Sequence, residues 1–190
     1  MGDNMLEIRW HSRAGQGAVT GAKGLADVFA STGKEVQAFA LYGSAKRGAA
    51  MSAYDRIDDS PILNHEKYME PDYVLVIDPG IVFITDICAN DKPSTKYIIT
   101  THLSKDELVA KKPELAGKEL YVLDCIKIAL NTIGKPIPNT PMLGAFIKIS
   151  QSLELEYFKK AFTKVLGKKL PQNIIDANMS AIEQAYNAVK

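Results

Sequence analysis

Along the chain, apolar and polar positions change period several times, and each change predicts a boundary. Leu6, Ile8 and Trp10 alternate with Glu7 and Arg9, the period of two expected of a strand with one face buried. The period then becomes helical: Val19, Ala22, Leu25, Ala26 and Phe29 recur to about Ser31, and Gly33 is placed to stop that helix. A second strand is expected at 35–41 and a third at 51–57, where Met51, Ala53 and Ile57 alternate with Ser52, Tyr54 and Arg56. Asp55 falls on the apolar side of that third strand, which argues against its full burial. Asp58-Asp59-Ser60-Pro61 ends it by turn chemistry.

Residues 73–77 form an unbroken apolar run stopped by Asp78-Pro79-Gly80, the signature of a central strand covered on both faces. Further core strands are expected at 97–99 and 120–123. Between them lies an amphipathic stretch at 104–111, whose Ser104 and Glu107 have capping-box spacing. Helical patterns follow at 125–133, from Asn139 onward, at 153–166 and at 171–189, and Ile175, Met179, Ile182, Tyr186 and Val189 make one apolar stripe in the last. Strands alternating with helices predict an α/β fold, a three-layer sandwich with a largely parallel central sheet and a helical C-terminal segment. With no repeat, low-complexity tract or long linker, residues 1–190 are read as one domain.

The chemistry-bearing stretch is the turn His11-Ser12-Arg13-Ala14-Gly15-Gln16-Gly17-Ala18 between the first strand and helix. Gly15 and Gly17 remove side chains where backbone turns sharply or approaches something closely. Free N–H groups at the first helical turn, flanked by Arg13 and Gln16, suit a phosphate, carboxylate or carbonyl oxygen. The turn departs from the dinucleotide fingerprint, since Thr20 stands at its third glycine place, and no Gly-Lys-Ser/Thr follows as in a P-loop. The competing reading is a tight strand-to-helix turn without a ligand. A second small-residue segment, Tyr42-Gly43-Ser44-Ala45-Lys46-Arg47-Gly48-Ala49, brackets an adjacent cation pair that is either a solvated charge pair or a second anion or partner contact. Asp78 is read as part of a routine turn with a weak catalytic alternative, and His11, His65 and His102 as satisfied or surface imidazoles.

Composition narrows the partners. With 23 basic and 22 acidic residues the net charge is +1, so no overall basicity recommends nucleic acid. No apolar run reaches the roughly 20 residues of a membrane helix, and the first residues lack a signal-peptide pattern, with Leu6 at the place where a myristoylation motif wants Ser or Thr. A cytoplasmic location is therefore expected. Cys88 and Cys125 are read as two buried reduced thiols rather than a disulfide, and two cysteines alone cannot supply the four ligands of an iron–sulfur cluster.

Taken together, His11–Gly17, the segment from Tyr42 to Ala49 leading into a strand ending at Arg56-Ile57, Asp78-Pro79, and Asn139-Thr140-Pro141-Met142-Leu143-Gly144-Ala145 span most of the chain in a specific order. This set resembles the gamma subunit, or equivalent gamma domain, of 2-oxoacid:ferredoxin (acceptor) oxidoreductases of the pyruvate synthase type. Two departures stand out: Ala14 replaces one of two adjacent glycines, and Ser44 and Ala45 stand where the family has Pro and Glu. The resemblance implies a complex in which thiamine diphosphate decarboxylates a 2-oxoacid, iron–sulfur clusters carry electrons to ferredoxin or another acceptor, and an acyl-coenzyme A is released. The cofactors belong to alpha-, beta- and delta-type chains, so this chain binds none of them alone. Its own part would be a non-catalytic subunit that helps close the active-site and coenzyme A region. Arg13, Gly15, Gln16, Gly17, Lys46, Arg47, Gly48 and Asn139 are its expected contact residues. The alternatives are a free-standing nucleotide- or flavin-binding α/β protein and a purely structural assembly subunit.

Overall fold

A computed structural model describes residues 5–43, 48–63, 70–167 and 170–189. Strands β1 (Leu6–Arg13), β2 (Glu35–Tyr42), β3 (Ala50–Asp58), β4 (Tyr73–Val76), β5 (Lys96–Thr100) and β6 (Glu119–Leu123) form one sheet in the order β2-β3-β1-β4-β5-β6. The β1/β4, β4/β5 and β5/β6 pairings are parallel, while β2/β3 and β3/β1 are antiparallel. The sheet is thus mostly parallel, with an antiparallel wing at the β2 edge. Helices α1 (Ala18–Ala30), α3 (Cys125–Thr132), α4 (Asn139–Ser150), α5 (Leu155–Gly167) and α6 (Gln172–Ala188) join the larger core on one face. The opposite face of the parallel half is closed by α2 (Lys105–Lys111) and by 3-10 turns at Ile81–Phe83 and Pro113–Leu115. The capping box of α2 is formed, with Ser104 Oγ accepting from the Glu107 N–H and the Glu107 carboxylate accepting from the Ser104 N–H.

The central strands are apolar on both sides because both sides are covered: Leu75 and Ile98 face the large core, and Val74, Val76, Tyr97 and Ile99 face the smaller one. The antiparallel wing differs. Its far face carries Glu7, Arg9 and His11 beside Tyr54 and Arg56, and Arg56 is fully buried with its Nε donating to Glu7 Oε1 at 2.9 Å. Arg9 reaches across to the carbonyls of Ala89 (2.6 Å) and Ile87 (2.9 Å), pinning the segment before β5.

Asp55 is the first correction to the sequence reading. It is completely buried on the helix-covered face of β3, where its Oδ2 accepts a 2.8 Å hydrogen bond from Trp10 Nε1. Burial pushes its carboxyl well above the usual range, partly opposed by the Trp10 bond. Burial therefore favours the uncharged form of this carboxyl, and the strand is not held open. Cys125 is buried and free, as expected, and burial pushes its thiol up to about 12. Cys88 is also free but only half-buried.

Candidate functional site

The chain leaves β1 toward α1 on one face of the sheet and leaves β4 toward the 3-10 turn on the other. Adjacent parallel strands whose connections diverge leave a crevice beyond their carboxyl ends, where α/β proteins commonly bind ligands. Here the glycine-rich turn faces Asp78-Pro79-Gly80 across that crevice.

Asp78 organises the crevice. Its Oδ1 accepts the backbone N–H groups of Gly80 (2.8 Å) and Ile81 (3.0 Å). Its Oδ2 accepts Gln16 Nε2 and lies 3.4 Å from Arg13 Nε. Gln16 also closes the turn, since its Oε1 accepts the Arg13 N–H at 2.9 Å. Arg13 Nη1 donates to the Gly48 carbonyl at 3.2 Å, and the Ala14 N–H donates to Ala49 O at 3.1 Å. These bonds tie the first turn to the β2–β3 hairpin. The Arg13 side chain remains 37% exposed, so one edge of the guanidinium still meets whatever enters from outside.

Gly15 and Gly17 both have left-handed backbone, with φ of 96° and 93°. Gly17 is the N-cap of α1 and offers no side chain to its first turn, so N–H groups there lack an intrahelical acceptor. Asn139 opens α4 against this point: its Nδ2 donates to Gly17 O at 3.3 Å and its Oδ1 accepts the Thr140 N–H at 2.9 Å. Thr140 Oγ1 in turn donates to Asn178 Oδ1 at 2.8 Å, reaching α6. Gly15, Gly17 and Asn139 line one end of a cleft of about 510 Å³, with Lys23 and Lys135 along its side.

The structure therefore brings Arg13, Gly15, Gln16, Gly17, Gly48 and Asn139 together around two adjoining features, the crevice and the cleft. Lys46, Arg47 and His65 lie outside the described residues. Ala14 has no left-handed backbone, so the methyl that distinguishes this turn sits where an L side chain fits. Sequence reasoning undervalued Asp78, read as a routine turn; its signal was a carboxylate at the end of the most apolar strand. His11, read as a satisfied or surface imidazole, is buried at 4% exposure, with Nδ1 3.5 Å from Ser52 Oγ and, among the described residues, no partner for Nε2. Burial, reinforced by Arg9, lowers its pKa to about 3, so it is a neutral imidazole at ordinary pH. His102 is exposed, as expected.

The family model for pyruvate ferredoxin/flavodoxin oxidoreductase matches residues 7–188. The chain belongs to this family. Pyruvate synthase subunit PorC of Thermotoga maritima is 42% identical over 186 residues, covering 97% of this chain and 95% of that protein. The common subunit gamma of the pyruvate/ketoisovalerate oxidoreductases of Thermococcus kodakarensis is 41% identical over 187 residues, covering 96% of each. The crystal structure of the Thermotoga maritima pyruvate oxidoreductase subunit PORC matches with a TM-score of 0.83 at 35% identity, covering 99% of this chain and 98% of that one. Within the pyruvate ferredoxin/flavodoxin oxidoreductase family it is a gamma-type chain, as its ordered motifs implied.

Proposed function

We propose that this chain is the non-catalytic gamma subunit of a cytoplasmic 2-oxoacid:acceptor oxidoreductase, and that its glycine-rich crevice helps close the active-site and coenzyme A region of the assembled enzyme. Alpha-, beta- and delta-type companions hold the thiamine diphosphate, which supplies the decarboxylating chemistry, and the [4Fe-4S] clusters that pass electrons to ferredoxin or another acceptor. This chain's residues position and exclude water. Membership in a family whose relatives are named as oxidoreductase subunits supports the assembly.

The observation that carries the crevice is the Arg13–Gln16–Asp78 brace. A partly exposed guanidinium, held at the switch point of the sheet by a carboxylate and the Gly48 carbonyl, is already oriented before an anion arrives. Uncapped N–H groups near Gly15 and Gly17 add donors of the same sign. Lys46 and Arg47, which precede Gly48 in the chain, provide a second anchor in this reading.

Steady-state kinetics on the complete complex carrying Arg13→Ala test it. The expected result is weaker assembly or a coenzyme A KM raised at least fivefold. Normal assembly with unchanged constants for both coenzyme A and oxoacid would remove the assignment. Native mass measurement discriminates the free-standing reading, which requires a monomer of the 20.8 kDa chain or its homodimer, without companion chains and retaining nucleotide or flavin.

A further inference from the structure

Helices α1 and α5 touch closely at Gly24, where a methyl group would stand 2.7 Å from Cε2 of Phe162. Outside this contact lies a furrow. Toward the end of α1 it widens into a cavity of about 670 Å³ lined by Ser31, Tyr157, Lys160 and Lys164. Toward the start of α1 it opens into the cleft of about 510 Å³ beside the glycine turn. Asp27 and Val165 line both spaces, so the two adjoin along α1 and α5.

The rim has one dominant sign. Lys23, Lys135, Lys160 and Lys164 are exposed along it, and among the described residues Asp27 is the single acidic one in either lining. Among the described residues none of these four lysines is ion-paired. Their neighbour Lys159, by contrast, is held by Glu156 at 2.9 Å and Glu183 at 3.1 Å. Helices α1, α4 and α6 all begin at the cleft, and none has a side-chain cap or an acidic residue in its first turn. Their positive ends add to the lysine field. The floor and lip are apolar: Val165 and Leu166 lie at the base, and Ile137 and Leu170 stand 39% and 38% exposed at the edge.

An apolar trough between cationic rims matches an amphipathic helix with acidic flanks. Nucleic acid would leave the apolar floor unused, and among the described residues Tyr157 is the one exposed aromatic ring in the lining, too little for a stacking track. We infer that the α1–α5 furrow seats an acidic amphipathic helix from a companion chain of the oxidoreductase. Its apolar face lies on Val165 and Leu166, and its carboxylates meet Lys23, Lys135, Lys160 and Lys164. The inference rests on the chain being a complex subunit, but not on the role given to Arg13 and the crevice.

Amide hydrogen exchange reads the occupancy directly on the unmodified protein, as the isolated chain at two concentrations and in the purified complex. Residues 20–31 and 155–167 are expected to exchange at least fivefold more slowly in the complex. Lys160→Glu/Lys164→Glu should raise the assembly Kd at least tenfold at low salt and flatten its salt dependence. The reassembled enzyme should keep its coenzyme A KM, the quantity that Arg13→Ala moves. Lys105→Glu/Lys111→Glu on α2, across the sheet, serves as the charge control and should leave assembly within twofold. Three results overturn the inference: equal exchange in both states, protection induced in the isolated chain by concentration alone (a second copy) or by added RNA, or equal weakening by both charge-reversal pairs.

Discussion

Arg13 and Asp78 face each other across the seam between β1 and β4, with Nε and Oδ2 3.4 Å apart, and Gln16 meets the same carboxylate oxygen. Both side chains come from the turn, whereas Asp78 ends the neighbouring strand, so one carboxylate sets the separation of the two walls. The exposed guanidinium limits the value of the ion pair itself. Most of the energy should come from the two N–H groups and the Gln16 amide that converge on a carboxylate whose side chain is only 10% exposed. Asp78→Ala, leaving those donors without an acceptor, is expected to cost about 2 kcal/mol. Asp78→Asn retains an acceptor for the backbone and should cost about half as much. Urea unfolding of the two variants checks the order.

Gly17 separates conformational strain from close contact. At both Gly15 and Gly17 an L residue meets the left-handed penalty, but a Cβ on Gly15 has open space, whereas one on Gly17 would stand 2.9 Å from Asn139 Nδ2. Gly15→Ala should cost about 1 kcal/mol and Gly17→Ala roughly twice that. Asn139→Ala introduced with Gly17→Ala should recover part of the difference, because it removes the colliding amide. A double-mutant cycle measured by thermal unfolding gives the coupling.

Much of this architecture was legible because period and burial agree. The unbroken run at 73–77 is a strand covered on both faces, and Ser104 and Glu107 form the capping box their spacing predicts. The order of the wing strands was less accessible. Alternation marks β2 and β3 as strands but contains nothing about their antiparallel pairing beside β1. Asp55 was misread for a physical reason. A polar residue is normally placed outside by its free energy of transfer, and only the tertiary partner, Trp10, shows otherwise. Asp78 was visible as a residue but not as a hub, since its partners lie 62 and 65 positions earlier in the chain.

Gly144 is expected to be the most sensitive glycine. The α4–α6 contact brings the Ile182 carbonyl so close that a Cβ at position 144 would stand 2.1 Å from its oxygen. Backbone on both sides prevents a side-chain adjustment, so Gly144→Ala must separate two helices of the main core. The expected loss is about 3 kcal/mol or more, compared with a few tenths for a surface change such as Lys127→Ala on α3. Circular dichroism melting of both variants measures it; similar melting temperatures would mean that the helices part without cost.

His11 and Asp55 give the pH profile two opposing components. The buried imidazole has a pKa of about 3 in the fold against about 6.5 when unfolded, so the unfolded chain takes up the proton first. Its contribution is complete above pH 6.5 and is lost as pH falls toward 3, about 2 kcal/mol of it by pH 5. Asp55 has the opposite sign: its folded pKa is raised well above the ordinary value, so its contribution is complete below about pH 4 and is lost as pH rises through the folded value. Above about pH 4 the Asp55 slope opposes that of His11. His11→Gln should therefore uncover a protein that becomes less stable as pH rises, and Asp55→Asn one that becomes less stable as pH falls, with the parent chain flatter than either. Urea midpoints taken every half pH unit test the pair. Parallel profiles for all three proteins would show that neither buried group changes its proton occupancy on unfolding.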